Sequence, residues 1–268
     1  MLRVFHGLFC IASAPDSASP TLQVASWHQS KAPATTRRLN KQPTDPAKAK
    51  EETTTSLPRA SRSGRVGWAV IPPLVRGVGR LAWRLEISLT ATPPPPPFVV
   101  AANHHSFLDP FLVAAALPAR FRFLALQDLF GNHGMVDFAL KAFDSIPVSR
   151  GVVPLGPVRS ALRHLESGGA VGLFPEGTRH WVFDPRNARD GAAWLATRAG
   201  VPVVPIAISG TERVLGVDNK LRRGTIHLEV GAPLRPTGHD RSAVADLTGR
   251  WSAWVEQRLS ARAPDEIV

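Results

Sequence analysis

The chain has 268 residues, of which 44% are hydrophobic, so it is long enough for one large domain or two small ones with a sizeable core. Its single cysteine, Cys10, excludes an intrachain disulfide and a cysteine-based metal site. The sequence contains no run of about 18 apolar residues, so no transmembrane helix is predicted. The net charge of +11 favours an anionic membrane or an anionic substrate as partner. Nucleic acid is not expected, because the sequence has no zinc-finger spacing and no aromatic RNA-binding signature.

Residues 1–65 differ in composition from the rest of the chain. They hold ten Lys/Arg and four Asp/Glu, and from Ala14 to Arg65 they are rich in Ser, Thr, Pro and Ala without apolar periodicity. This composition predicts a disordered basic tail. The first residues resemble a signal peptide only weakly, because His6 interrupts the apolar run. An organelle-targeting segment and a wrongly assigned upstream start codon are the alternatives.

A membrane-surface helix is predicted next, over residues 66–92. Pro72 and Pro73 are suited to the first turn of a helix, and the arginines that follow recur at every fourth position, at Arg76, Arg80 and Arg84. Aliphatic residues fill the other faces, so the helix can lie on an anionic membrane. The alternative is an ordinary surface helix with solvated arginines. Five consecutive prolines, Pro93–Pro97, predict a stiff spacer before a domain over residues 98–268.

Strand-like and helix-like segments alternate from Phe98 onward. The β-rich runs are Phe98–Ala102, Phe121–Leu126, Ser145–Val148, Ala170–Phe174, Val203–Ile208 and Ile226–Val230. Helical patterns cover Pro110–Ala116, Val136–Phe143, Pro157–Glu166, Asp190–Ala199 and Arg241–Arg262. This alternation predicts an α/β fold with a largely parallel sheet flanked by helices. In such sheets the ligand crevice lies at the carboxyl ends of the strands.

The segment NHHSFLD, residues 103–109, follows the first of these strands. It is interpreted as a polar turn with a helix cap, as a metal site of His104, His105 and Asp109, or as a His–Asp catalytic pair. Positions five residues apart point about 140° apart on a helix, so His104 must lie in a turn before the helix in order to reach Asp109. Ser106 and Asp109 form a capping box in that turn, or Asp109 itself caps the helix.

A second polar segment, PEGTRH at residues 175–180, follows the apolar run AVGLF. Gly177 allows a ligand to approach the backbone closely, and the guanidinium of Arg179 offers a planar fork for a phosphate. The simpler interpretation is a structural ion pair between Glu176 and Arg179. If both polar segments lie at strand ends of one sheet, they face one crevice.

The two segments, in this order, resemble the glycerolipid acyltransferase family of the lysophosphatidic acid (1-acylglycerol-3-phosphate) acyltransferase type, with its N-H-x-S-x-x-D and F-P-E-G-T-R blocks. SIPVSR, which ends at Arg150, looks like an intermediate block of that family, and GTIHLEVGAPL is similar to its late strand and turn. The resemblance covers about residues 66–235. Two segments depart from the pattern: the middle block, where little besides Arg150 matches, and HWVFDPRNARDG, which is bulkier and less basic.

The resemblance implies a fold like that of glycerol-3-phosphate acyltransferase. It also implies transfer of a fatty acyl group from acyl-CoA or acyl carrier protein to the free hydroxyl of 1-acyl-sn-glycerol-3-phosphate, giving phosphatidic acid, without a cofactor or a metal. The alternatives are the same chemistry on glycerol-3-phosphate, another lysophospholipid or an aminolipid, and a non-catalytic lipid-binding protein. The expected location is peripheral, on the cytoplasmic face of a membrane, unless the tail targets an organelle.

The resemblance also implies roles for individual residues. An acceptor hydroxyl needs a base, which we expect to be His104, with Asp109 fixing its tautomer. No G-x-S-x-G motif is present, which favours direct attack by the hydroxyl over an acyl-enzyme. Glu176 is expected to bind acceptor hydroxyls or to order the arginines, and the phosphate is expected to meet guanidinium and backbone N–H groups. The substrate-binding candidates are Arg150, Glu176, Gly177, Thr178 and Arg179.

Overall fold

The computed structural model describes residues 61–127, 130–131, 134–148, 155–216 and 220–262, which contain seven strands and seven α-helices. The strands are β1 (Glu86–Leu89), β2 (Val99–Ala102), β3 (Arg122–Leu126), β4 (Ile146–Val148), β5 (Val171–Leu173), β6 (Val203–Ser209) and β7 (His227–Val230). The helices are α1 (Arg62–Trp83), α2 (Asp109–Ala116), α3 (Gly134–Ala142), α4 (Leu155–Glu166), α5 (Gly191–Ala199), α6 (Thr211–Val214) and α7 (Arg241–Arg262). Within these residues no helix is both long and apolar enough to cross a membrane.

The seven described strands form one sheet in the order β1-β7-β6-β2-β5-β3-β4. Neighbouring strands are parallel throughout, except that β6 and β7 are antiparallel. The predicted α/β fold with a mostly parallel sheet flanked by helices is therefore confirmed. Strands β6, β2 and β5 lie side by side in the sheet, so the loops that follow them meet at one edge.

Helices cover both faces of the sheet. On β2, Val100 and Ala102 belong to one core together with residues of α1 and α2, whereas Val99 and Ala101 belong to a second core together with residues of α4, α5 and α7. Burial on both faces removes the alternation of apolar and polar residues that a half-exposed strand shows. This explains why the sequence around β2 reads as one continuous apolar run.

Helix α1 begins and ends earlier than the sequence predicts. The hydroxyl of Ser61 caps its first turn by accepting the N–H of Gly64 at 2.8 Å, so residues 62–65 are helical and not part of a tail. Pro72 and Pro73 consequently lie inside the helix and not in its first turn. The helix ends at Trp83, which corrects the predicted span of 66–92 at both ends. The rest of the predicted tail, residues 1–60, lies outside the described residues.

Packing against the domain accounts for these differences. The ring centroid of the partly buried Trp68 lies 4.9 Å from that of Phe121 and 5.0 Å from that of Phe143, and these aromatic contacts offset the backbone hydrogen bonds that prolines remove. After α1, strand β1 pairs in parallel with β7, so the sheet begins at Glu86. The domain predicted for residues 98–268 therefore starts too late, because β1 is a mostly exposed edge strand without the apolar run that predicts the other strands.

The arginines of α1 do not form the predicted stripe. Arg76 donates from Nε to the carbonyl oxygen of Ala115 in α2, while Arg80 and Arg84 are exposed. The solvent-facing side of α1 instead carries aliphatic residues three or four positions apart, which we call the α1 stripe: Val66, Val70, Leu74, Val78 and Leu81. One face of the helix thus packs on the domain, and the other presents apolar side chains with arginines beside them.

Candidate active site

The two polar segments lie at the carboxyl ends of neighbouring strands. Residues 103–109 follow β2, residues 175–180 follow β5, and the two strands pair directly, as the strand order shows. The side-chain amide of Asn103 fixes the first segment to the third strand of this group: it accepts the N–H of Ile208 and donates to the carbonyl of the same residue, both at 2.8 Å. Asn103 is fully buried, and the sequence analysis assigns no role to it.

His104 and Asp109 form a hydrogen-bonded pair. Nδ1 of His104 lies 2.9 Å from Oδ2 of Asp109, whose side chain is fully buried, while the imidazole is 17% exposed. A carboxylate only accepts hydrogen bonds, so Nδ1 carries the proton and the lone pair of Nε2 is left for another partner. His104 therefore lies in a turn and folds back onto Asp109, the first residue of α2, as predicted.

Asp109 also holds the turn that carries the histidine. Its Oδ2 accepts the backbone N–H of His105 and that of Ser106, each at 2.7 Å. The reach of Asp109 back to the N–H of Ser106 is one half of the predicted capping box. The other half is missing, because the Ser106 hydroxyl accepts from the N–H of Leu108 at 3.1 Å and donates to the carbonyl of Leu215.

Glu176 reaches the same turn from the β5 loop. Its Oε1 accepts the backbone N–H of His104 at 2.7 Å, and the side chain is buried. Burial raises the pKa of Glu176 to about 8, with the nearby charge of Asp109 adding to the rise and the His104 N–H opposing it. Its Oε2 has no hydrogen-bond partner within the described part of the chain. The carboxyl group expected to bind acceptor hydroxyls thus contacts the backbone of His104.

The face of the His104 imidazole also has a packing partner. It stacks on the ring of Phe174, the residue before the PEGTRH segment, with centroids 4.1 Å apart. The carbonyl of His104 accepts the N–H of His180 at 2.9 Å. These contacts restrict ring and backbone together, which is what a base needs if its free nitrogen is to stay aimed at one point.

His105 has a different environment from its neighbour. Its ring is buried, and its Nδ1 donates to the carbonyl oxygen of His180 at 2.6 Å. It therefore ties the two motif loops together. Within the described residues no group of three or more His, Cys, Asp or Glu is placed to hold a metal ion.

Arg179 lies against Phe107, in the turn at residues 103–109. Its guanidinium carbon is 3.5 Å from the ring centroid of Phe107, which is a close cation–π contact. Burial lowers the pKa of Arg179, and the charge of Asp109 opposes that change. Thr178 is half-buried beside it, and Gly177 takes a positive φ of 73° that favours glycine. Arg150 lies outside the described residues.

Arg189 underlies the same loop, and nothing in the sequence singled it out. Its backbone N–H donates to the carbonyl of Pro175 at 3.1 Å, and its Nε would lie 3.6 Å from a Cβ added to Gly177. Its Nη1 is buried, with no hydrogen-bond partner in the described part of the chain. A second guanidinium therefore lies close to the turn at Gly177. It was not predicted because Arg189 belongs to HWVFDPRNARDG, the segment that departs from the family pattern.

The part of the chain that carries this site is similar to known proteins. Residues 85–209 match the family model described as Acyltransferase. The chain is similar to a 1-acyl-sn-glycerol-3-phosphate acyltransferase of Pseudomonas aeruginosa, with 33% identity over 100 residues, covering 37% of this chain and 39% of that protein. It is also similar to a chloroplastic 1-acyl-sn-glycerol-3-phosphate acyltransferase of Arabidopsis thaliana, with 28% identity over 143 residues, covering 52% of this chain and 39% of the relative.

A solved structure shares the fold. The crystal structure of the 1-acyl-sn-glycerophosphate (LPA) acyltransferase PlsC from Thermotoga maritima superimposes with a TM-score of 0.59 at 23% sequence identity, covering 73% of this chain and 80% of that one. The matches to these two curated relatives span only 39% of the length of each. The similarity is thus concentrated in the part of the domain that holds both polar segments.

Proposed function

We propose that this chain, whose residues 85–209 match the Acyltransferase family model, transfers a fatty acyl group from a thioester to the free hydroxyl of 1-acyl-sn-glycerol-3-phosphate. The observation that carries the proposal is the His104–Asp109 pair, which leaves Nε2 of a partly exposed imidazole as the only ring nitrogen available to a hydroxyl. The names of the curated relatives support this acceptor.

In the proposed reaction, Nε2 of His104 removes the proton of the acceptor hydroxyl as its oxygen attacks the thioester carbonyl carbon. The tetrahedral intermediate collapses with cleavage of the carbon–sulfur bond, and the imidazolium returns the proton to the leaving thiolate. The products are phosphatidic acid and a free thiol. Asp109 stabilises the imidazolium between these steps, as the acid of a hydrolase triad does.

The hydrogen bonds of the Ser106 hydroxyl support direct attack by the acceptor. Its hydroxyl donates to the carbonyl of Leu215 and accepts from the N–H of Leu108, and neither contact involves a base that would activate it. Ser106 therefore supports the turn. An acyl-enzyme through this residue would require breaking the contact to Leu215.

The acceptor phosphate has its best partner in Arg179. A guanidinium stacked on Phe107 can turn its edge to a phosphate while keeping its face on the ring. Arg150, Thr178 and the N–H groups around Gly177 remain further candidates for the phosphate. Glu176 we assign to His104, because its carboxyl group is buried against the backbone of the base.

A panel of acceptors tests the substrate assignment. The purified chain is supplied with acyl-CoA or with acyl carrier protein, and thiol release is followed with 1-acyl-sn-glycerol-3-phosphate, glycerol-3-phosphate, other lysophospholipids and an aminolipid. The fastest release with 1-acyl-sn-glycerol-3-phosphate is expected. Faster turnover of another acceptor would move the assignment to that lipid, and no turnover of any would leave a lipid-binding protein.

We also propose that the protein binds peripherally to a membrane through the α1 stripe. Five aliphatic side chains along a 22-residue helix face solvent, with Arg80 and Arg84 exposed near its end, and this combination suits a helix lying in a lipid interface. Replacing Leu74 and Leu81 by Ser should weaken binding to anionic vesicles about tenfold or more. The unfolding midpoint should stay unchanged because both side chains are exposed. Unchanged vesicle binding would contradict this assignment.

A further inference from the structure

A short basic segment, KLRR at residues 220–223, lies near the candidate active site and has no role in the reaction described above. It holds three cationic residues and no acidic one, and all four residues are exposed. We call it the KLRR segment. It belongs to the connection between β6 and β7, which starts at the edge of the sheet where the two polar segments also start. Positive charge beside a substrate site favours an anionic ligand.

Backbone pairing holds the KLRR segment against the residues that follow α6. Leu221 pairs with Leu215 in an isolated antiparallel bridge. This register brings Lys220 and Gly216, the next residues along the two segments, close together. The carbonyl of Leu215 also accepts the hydroxyl of Ser106, which belongs to the turn that carries the proposed base. A single bridge therefore separates the basic segment from that turn.

The side chain of Trp181 lies next to both the base and the KLRR segment. Trp181 follows His180, whose N–H donates to the carbonyl of His104 at 2.9 Å. Its ring packs on Gly216 so closely that a Cβ would not fit there, and the side chain is still 51% exposed. Because Gly216 lies beside Lys220, the order from the site outward is base, indole and cations.

The cations of the KLRR segment lie close to one another. Nη1 of Arg222 donates to the carbonyl of Lys220 at 3.2 Å, which keeps these two residues side by side. Residues 210–226, the connection as a whole, contain four Lys or Arg and two acidic residues, a net charge of +2. One of the acids, Glu212, accepts the N–H of Gly210 at 3.1 Å and lies 3.8 Å from Nε of Arg213. The surface around the segment is therefore positive.

The two substrates of the proposed reaction carry phosphate at different distances from the reacting atoms. In 1-acyl-sn-glycerol-3-phosphate the phosphate is only a few bonds from the attacking hydroxyl, so its cation must lie in the turns around His104, as Arg179 does. In the thioester donor, the pantetheine arm places many more bonds between the sulfur and the phosphate. The donor phosphate therefore needs cations one loop farther out, which is where the KLRR segment lies.

We infer that the KLRR segment binds the phosphate of the donor's pantetheine arm, with the arm lying across Trp181 and the thioester at His104. This inference rests on the proposed transfer from a thioester, whichever lipid accepts the acyl group. Arg and Lys bind phosphates through charge-assisted hydrogen bonds, and the methyl groups of the arm pack on the exposed part of the indole. Acyl-CoA and acyl carrier protein both carry this arm, so the experiment includes both.

The test compares four donors that share the acyl-pantetheine arm. Acyl-pantetheine has no phosphate, acyl-4′-phosphopantetheine has the arm phosphate alone, acyl-CoA adds the nucleotide, and acyl carrier protein links the arm phosphate to a protein. The variant of the full chain is Arg223→Ala, matched by Arg198→Ala, which removes the same charge. Arg198 is exposed in the last turn of α5, the helix that leads into the start of β6, and hence lies at the opposite edge of the sheet.

Arg223→Ala should raise KM about tenfold for the three donors with the arm phosphate, and by less than about twofold for acyl-pantetheine. Arg198→Ala should match wild type with every donor. Trp181→Leu should raise KM for all four donors alike, because it removes contact with the arm itself. The larger wild-type kcat/KM, with acyl-CoA or with acyl carrier protein, identifies the source of the arm.

The pattern across donors decides the inference. Equal KM changes of Arg223→Ala with acyl-pantetheine and with acyl-4′-phosphopantetheine, or no change with either, would overturn it. A change confined to acyl-CoA would assign the cations to the nucleotide, and a change confined to acyl carrier protein would assign them to an acidic protein surface. Either of these results would also overturn the assignment to the arm phosphate.

Equilibrium binding separates this inference from the proposed function. Pantetheine and 4′-phosphopantetheine are titrated into the protein by calorimetry without an acceptor. Wild type and Arg198→Ala should bind the phosphorylated arm about tenfold more tightly than pantetheine, and Arg223→Ala should lose most of this difference. If the difference is present but no acceptor is turned over, the proposed function fails and the phosphate site stands. If turnover is normal but wild type binds both arms equally, the phosphate site is wrong.

Discussion

The stability of the Glu176→Gln variant relative to wild type should increase as the pH rises. The folded-state pKa of Glu176, about 8, lies above its ordinary value of 4.5 because the carboxyl group is buried beside Asp109. The folded protein therefore keeps a proton that the unfolded chain releases between these two values. Its contribution to stability is complete below pH 4.5 and is lost as the pH rises toward 8.

The size of this effect follows from the two pKa values. Each pH unit between them corresponds to about 1.36 kcal/mol, so the full shift is worth about 5 kcal/mol. Because titration is only half complete at each of the two pKa values, wild type should lose about 4 kcal/mol of unfolding free energy between pH 4.5 and pH 8. A Gln at this position cannot titrate, and its amide oxygen can still accept the N–H of His104. The difference in unfolding free energy between variant and wild type should therefore rise by about this amount across the window, or about 10 °C in melting temperature.

The assay is thermal unfolding of the full chain at several pH values, with Glu176→Gln, Glu176→Ala and wild type in parallel. Other groups titrate equally in all three proteins and cancel in the differences. In activity, Glu176→Gln should keep kcat within about threefold and leave KM unchanged, whereas Glu176→Ala should lose kcat because the backbone of His104 is released. A stability difference that is flat with pH would refute the reasoning, as would a rise in KM for the acceptor in the Gln variant.

Three further substitutions probe the remaining parts of the site. Asp109→Asn should lower kcat about 10³- to 10⁴-fold, because an amide at this position no longer fixes the tautomer or stabilises the imidazolium; a smaller loss in steady-state turnover would argue against the pair. Arg179→Ala should raise KM about thirtyfold for a phosphate-bearing acceptor and leave an acceptor without phosphate unaffected, so equal effects on both would remove Arg179 from phosphate binding. Asn103→Ala should cost about 3 kcal/mol, or about 8 °C in melting temperature, since it leaves the buried N–H and carbonyl of Ile208 without partners; an unchanged midpoint would mean that β2 and β6 need no such link.

The sequence predicted the long-range architecture well because its elements have strong patterns. The segments from Phe98 onward were apolar strands or amphipathic helices of ordinary length, and the structure has each of them with shifts at the ends. The elements that were missed are short: β1, α6 and the 3-10 turn Pro185–Asn187. The strands β4 and β5 are equally short, but they are mostly buried and apolar, whereas β1 is mostly exposed and carries no apolar run that distinguishes it from a loop.

Helix α1 shows where local rules fail. Prolines favour a helix start, but Pro72 and Pro73 lie inside α1 because its packing partners are residues distant in sequence, including Phe121 and Phe143. Arg76 is likewise taken out of the predicted basic stripe by a carbonyl on α2. Tertiary contacts determine both the position of the prolines and the hydrogen bond of Arg76, and local sequence patterns do not predict such contacts.

The contact between His104 and Asp109 could be predicted from the sequence, because His104 reaches Asp109 only if it lies in the turn before the helix. The role of Glu176 was not, because a carboxylate beside an arginine suggests a surface ligand or an ion pair. Its hydrogen bond to the backbone of His104 joins residues 72 positions apart. Contacts of that separation depend on the strand order, which places β2 beside β5.

The measurement that tests the account most directly is acceptor-dependent thiol release by wild type and by His104→Ala. Acyl-CoA and 1-acyl-sn-glycerol-3-phosphate are supplied, and free CoA is followed, with His105→Asn as a neighbour control that keeps a donor toward the carbonyl of His180. Wild type should release CoA only with acceptor, His104→Ala should lose this release by about 10³-fold or more, and His105→Asn should retain most of it. Release by His104→Ala at the wild-type rate would contradict the assignment of His104 as the base.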